Sequence, residues 1–131
     1  GRGVGVLTAG SHGSTYSGTA LGSRVVYTVI DLIQKENLVE NAAKMGSYIV
    51  DQLAQQLSEQ NVTVRGFGLM IGIELPKECG ELVNIARDEY HLIINVTAGS
   101  VVRLLPTLNI TQEQADQLIS RLVKMIKAFL A

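Results

Sequence analysis

Apolar residues recur at helical spacing in three stretches of the chain and alternate in several shorter ones between them. Ala20, Leu21, Val25, Val26, Val29, Ile30, Leu32 and Ile33 predict a helix over 20–33 that is apolar around much of its circumference. That is the pattern of a helix enclosed by other elements, so it needs a large partner surface. Leu38, Ala42, Met45, Ile49, Leu53 and Leu57 predict a second, amphipathic helix to about 59, and Asn37 with Glu40 has the form of an N-terminal cap. Ala115, Leu118, Ile119, Leu122, Ile126, Phe129 and Leu130 make one stripe of a third helix, with Thr111 and Gln114 placed as a capping box. Glu113 and Asp116 near its start and Lys124 and Lys127 near its end complement the helix dipole.

The intervening segments read as strands. One is predicted over 4–7 and another begins at Val62-Thr63-Val64, with a turn at Arg65-Gly66-Phe67-Gly68. Leu69, Ile71, Ile73 and Leu75 then alternate on one face of the next strand until Pro76 ends it. A shorter helix over 79–90 would include Cys79, and strands over 92–96 and 101–105 form a hairpin around Thr97-Ala98-Gly99-Ser100. Helices beside a small, largely antiparallel sheet place the chain in the α+β or mixed α/β class. There is no internal repeat and no low-complexity tract.

Composition narrows the function classes. At 131 residues and 47% hydrophobic content, the chain suffices for one ordinary core. Its 11 basic and 12 acidic residues nearly cancel, and basic residues are not interleaved with aromatics. Nucleic acid and anionic membrane are therefore not expected partners. The apolar run over 25–33 is interrupted by Tyr27, Thr28 and Asp31 and is too short to span a bilayer. Cys79 is the only cysteine, which excludes an internal disulfide, offers no cysteine cluster for a metal and fits a reducing, cytoplasmic setting. Gly1-Arg2-Gly3-Val4-Gly5 matches neither a secretory signal nor a transit peptide, and a start at Gly1 rather than Met is read as the middle of a larger polypeptide.

Two places carry candidate chemistry. The loop Gly10-Ser11-His12-Gly13-Ser14-Thr15-Tyr16-Ser17-Gly18 gathers small residues and hydroxyls just ahead of a predicted helix. Such a loop serves either as an anion cradle built from N–H groups and a hydroxyl or as a plain connection. It has no Lys-Ser/Thr ending of a P-loop, and Gly1-x-Gly3-x-Gly5 has the wrong spacing for a dinucleotide fingerprint. Arg103, within Val101-Val102-Arg103-Leu104-Leu105, shares a face with Val101 and Leu105. Its guanidinium keeps its proton, so it requires a bound anion, an internal salt bridge or water. His12 and His91 are too few and too separated for a metal site, and no nucleophile triad follows from residue order. The lysines Lys35, Lys44, Lys77, Lys124 and Lys127 occupy polar helix positions or the neighbourhood of Pro76, none a context that makes a reactive amine.

Taken in order, three segments carry a resemblance. Ser11-His12-Gly13-Ser14-Thr15-Tyr16 ahead of an apolar helix, Val64-Arg65-Gly66-Phe67-Gly68-Leu69-Met70-Ile71-Gly72-Ile73-Glu74-Leu75, and Leu92-Ile93-Ile94-Asn95-Val96-Thr97 followed by Val102-Arg103-Leu104-Leu105-Pro106 are similar to class III, fold type I, pyridoxal-phosphate-dependent aminotransferases. The last two strands most resemble the acetylornithine branch of that family. Ser17, Thr19 and Ala20 depart from the family pattern, which has Gly, Asn and Pro there.

The resemblance implies that residues 1–36 are the tail of a large cofactor-binding domain, with phosphate loop and connector helix, and that 37–131 are the small C-terminal domain, a short largely antiparallel sheet covered by helices. It implies that Thr15, assisted by Ser14, contacts the phosphate of pyridoxal 5'-phosphate across a homodimer, and that Arg103 binds the substrate α-carboxylate. The implied reaction transfers the amino group of N-acetylornithine to 2-oxoglutarate in arginine biosynthesis, with ornithine or 4-aminobutyrate transamination as the nearest alternatives. In that family the cofactor-bearing lysine, the acid facing the pyridine nitrogen and the ring-stacking aromatic lie upstream of the segment matched here. The chain by itself is thus expected to be inactive, with no catalytic residue of its own, and a stand-alone, non-catalytic dimerisation or interaction domain is the reading from another class.

Overall fold

The computed structural model describes residues 13–15 and 18–131. The strand expected over 4–7, most of the small-residue loop and His12 lie outside the described residues. Backbone contacts divide the chain into two compact units, Gly1–Glu36 and Asn37–Ala131.

The first unit contains α1 (Ala20–Lys35), capped by Thr19, whose hydroxyl accepts from the Gly22 N–H at 3.2 Å. The periodicity predicts this helix well, but none of its residues is buried. Leu21 is 78% exposed, and Val25, Val26, Tyr27 and Ile30 are each more than half exposed. Sequence hydrophobicity therefore marks a face suited to cover without supplying it.

The second unit runs α2 (Leu38–Gln56), β1 (Thr63–Phe67), β2 (Met70–Glu74), α3 (Leu82–Glu89), β3 (Asn95–Thr97), β4 (Val101–Leu104) and α4 (Gln112–Leu130). Its four strands form one antiparallel sheet in the order β1-β2-β4-β3. Leu69, Ile71, Ile73 and Leu75 are all buried, as their alternation predicts, and join Val102 and Leu104 on the inner face. There they meet Ile49 and Leu53 of α2 and Leu122 and Ile126 of α4, which contribute to the same core. Burying side chains of this size contributes about 1.5–3 kcal/mol each. Asn41 of α2 donates to the carbonyls of Leu108 at 2.7 Å and Ile110 at 3.2 Å, tying α2 to the segment that leads into α4.

Four expectations are corrected. The first hairpin turns at Gly68-Leu69, since Phe67 pairs with Met70, and Arg65, Gly66 and Phe67 belong to β1. Gly68 takes φ +52 as the first residue of this two-residue turn, where glycine meets no Cβ penalty. Asn37 occupies the N-cap of α2 in a left-handed conformation, φ 50 and ψ 43, and its side chain makes no capping bond. A capping side chain needs an extended backbone to reach forward, so the Asn37 and Glu40 pattern does not form a box. Cys79 lies in the loop before α3, completely buried, with its N–H donated to the Gly99 carbonyl at 2.9 Å. Residues 92–94 are not strand: His91 turns left-handed at φ 53, the Leu92 N–H donates to the Ala86 carbonyl, and only Asn95–Thr97 pair with β4. The capping box of α4 forms as expected, with the Gln114 N–H on the Thr111 hydroxyl at 3.3 Å and the Thr111 N–H on the Gln114 side chain at 3.0 Å.

Candidate functional site

In an antiparallel sheet directly opposed residues point to the same face, so the register can be read as rows. Arg65 on β1, Gly72 on β2, Arg103 on β4 and Asn95 on β3 are successive partners and form one row across the whole sheet. The next row is Thr63, Glu74, Val101 and Thr97. Both rows lie on the face opposite to Ile71, Ile73, Val102 and Leu104, that is, away from the core. The same face presents Phe67, 93% exposed, and Met70, 63% exposed.

Arg103 is the central cation of this face. It is half-buried on the β4 face that it shares with Val101, as the alternation predicts. Its Nε is shielded from solvent and has no hydrogen-bond partner. Among the described residues it forms no ion pair. Arg65, by contrast, is already satisfied, with Nη1 2.7 Å from Oε2 of Glu74 on the neighbouring row. Between the two arginines lies a shallow hollow of about 350 Å³, lined by Gly72, Phe67, Met70, Thr97 and both guanidinium-bearing side chains. A buried polar atom without a partner costs free energy comparable to a lost hydrogen bond, and a planar fork meets a carboxylate with two parallel bonds. The arrangement therefore suits a small anion seated against Arg103. Residue order shows Arg103, whereas Gly72 and the Arg65–Glu74 pair emerge only from the register.

Ser14 and Thr15 are exposed, ahead of Gly18 at φ 75 and the capped start of α1. Ser14, Gly18, Thr19 and Gly22 share a hollow of about 900 Å³ with apolar residues of α1. Hydroxyls and a helix N-terminus are a donor set that fits a phosphate. Elsewhere, the Lys77 ammonium sits 4.3 Å over the Phe129 ring and donates to the Phe129 carbonyl at 2.8 Å, a structural role for that lysine. Burial pushes the Cys79 thiol above its ordinary range, which disfavours a reactive thiolate. Among the described residues no three His, Cys, Asp or Glu side chains gather as a metal site, and no helix is long and apolar enough to cross a membrane.

Comparison with known proteins agrees with the layout of the sheet. The family model for class-III aminotransferases matches residues 4–126. An acetylornithine aminotransferase of Bordetella parapertussis is 45% identical over 133 residues, covering 100% of this chain and 34% of that protein. The Nitrosomonas europaea acetylornithine aminotransferase is 37% identical, covering 99% and 33%. Among solved structures, the acetylornithine aminotransferase of Elizabethkingia anophelis superposes with a TM-score of 0.81 at 31% identity, covering 95% of this chain and 34% of that one. The ornithine delta-aminotransferase of Plasmodium falciparum gives 0.78 at 37% identity, covering 95% and 33%. The chain thus spans about a third of the length of these relatives. With one family model covering nearly the whole chain and the same α+β arrangement in its solved relatives, this chain belongs to the class III aminotransferases.

Proposed function

We propose that the chain forms the substrate-anchoring part of a pyridoxal-phosphate-dependent aminotransferase that moves the amino group of N-acetylornithine to 2-oxoglutarate in arginine biosynthesis. The observation that carries this is Arg103, a cation with an unpartnered, shielded Nε at the centre of an open sheet face, within a chain of this family. The acetylornithine names of the relatives favour that donor. The solved ornithine aminotransferases at comparable identity favour ornithine as the second reading.

Under this proposal residues 1–36 close the cofactor domain and 37–131 are the small domain. Thr15 and Ser14 hold the cofactor phosphate of the other subunit in a cytoplasmic homodimer. When bound, pyridoxal phosphate supplies the electron sink through which an amino acid and a 2-oxo acid exchange an amino group. Arg103 receives a substrate α-carboxylate, the one next to the reacting carbon of 2-oxoglutarate, which fixes the remainder of the molecule relative to the sheet. The amine that carries the cofactor is supplied by polypeptide outside these residues, so the chain alone does not turn over.

The test is made in the complete polypeptide. Arg103→Ala should raise KM for 2-oxoglutarate by about tenfold to a hundredfold, the worth of one charge-assisted carboxylate contact. Unchanged KM for 2-oxoglutarate would refute the anchoring role. A kcat/KM for ornithine above that for N-acetylornithine would transfer the assignment to the second reading.

A further inference from the structure

We infer that Gly72 is a specificity-determining position: its bare backbone is the floor on which an anion held by Arg103 lies. The inference rests on the reading that Arg103 seats a carboxylate, and it concerns what sets the size of that seat.

The other glycines around this hairpin have reasons in the fold. Gly66 is pressed against α2, where an added Cβ would lie 2.9 Å from Cγ2 of Val50. Gly68 and Gly99 take φ of +52 and +76 in turns. Gly72 has neither reason. It sits in the middle of β2 with ordinary strand φ, and an added Cβ would meet Cγ1 of Val101 at 3.5 Å and Cγ of Arg65 at 3.9 Å, both normal contact distances. Glycine inside a strand is less stable than alanine, and where packing within the chain does not demand it, close approach of a ligand or of another backbone is the physical cause that remains; the unmet Arg103 donor beside it favours the ligand.

The register shows what that approach serves. Gly72 is the direct partner of Arg103 on one side and of Arg65 on the other. Directly opposed Cβ atoms stand about 5 Å apart, so any γ-atom at position 72 would stand between the two arginine side chains. Arg65 is held by Glu74, which leaves the Arg103 side of the hollow as the end with an unmet donor. A carboxylate on Arg103 therefore extends over Gly72 towards Arg65, and the side chain at 72 decides how much of it fits.

Glutarate is the probe, titrated into the complete polypeptide while the Nε–Hε NMR signal of Arg103 is followed, assigned by its loss in Arg103→Lys. The wild-type signal should shift with saturation. Gly72→Ala should keep or raise the thermal midpoint, since alanine suits a strand better, yet bind glutarate several-fold more weakly. Gly72→Val, with a side chain favoured in strands, should lose at least about tenfold in affinity. If both variants bind like wild type, Gly72 is not the floor, although the carboxylate reading of Arg103 stands. An Arg103 signal indifferent to glutarate in the wild type overturns both. Should Gly72→Val fail to fold, Gly72→Ala alone decides the matter.

Discussion

At the scale of single residues, polar side chains in this chain act through close pairs that tie one element to another. Tyr48 of α2 donates to Oδ1 of Asp116 in α4 at 2.6 Å. That hydrogen bond, reinforced by partial burial and the carboxylate charge, raises the phenol above its ordinary value near 10. A group whose folded value is raised contributes stability that is fully present below its unfolded value and is lost as pH rises through the folded one. Unfolding midpoints measured between about pH 9 and pH 11 should therefore fall more steeply for the wild type than for Tyr48→Phe. Parallel curves would show that the pair has no such linkage. Neither this pair nor Arg65 with Glu74 is legible in the linear chain, because each depends on which residues two separate elements bring face to face. Arg103 was legible, since a single cation in an apolar strand poses its own question.

At the scale of elements, local signals were reliable where one backbone conformation dominates and failed where a signature has two realisations. The 3.6-residue and two-residue periods identify α2, α4 and the inner face of β2, because each period maps directly onto a buried face. Thr111 with Gln114 and Asn37 with Glu40 look alike in sequence. Only the first pair has an extended cap residue, with φ −86 and ψ 164, and only the first forms the box. The two should separate experimentally. Thr111→Ala should cost about 1 kcal/mol and lower the melting temperature by roughly 5 °C. A loss below a few tenths of a kcal/mol would show that α4 is held by its packing alone.

At the scale of the whole molecule, the chain presents two surfaces that are built for contact. One is the apolar α1, with no buried residue, and the other is the outer sheet face around Arg103. Under the proposed function each has a use: α1 is covered by other polypeptide, and the outer sheet face receives the substrate carboxylate on Arg103, while Thr15 holds the cofactor phosphate. In the complete polypeptide, Thr15→Ala should release pyridoxal phosphate about tenfold more readily on dialysis, read from the loss of cofactor absorbance. Borohydride should attach no cofactor specifically to the 131-residue chain. Equal retention in the variant, or trapping at one of Lys35, Lys44, Lys77, Lys124 and Lys127, would argue against that division of labour.

The tightest of the described glycine positions lies outside both surfaces. A Cβ built on Gly46 of α2 would fall 2.0 Å from the carbonyl oxygen of Gly68, at the tip of the first hairpin. That tip sets the β1–β2 register, and β2 in turn places Gly72 beside Arg103. A methyl group at position 46 has no room unless α2 and the hairpin tip move apart, and a shift taken up by the hairpin reaches the arginine row through β2. Under the proposed function, a substitution on α2 then surfaces as weakened substrate affinity, a lesion whose origin is steric.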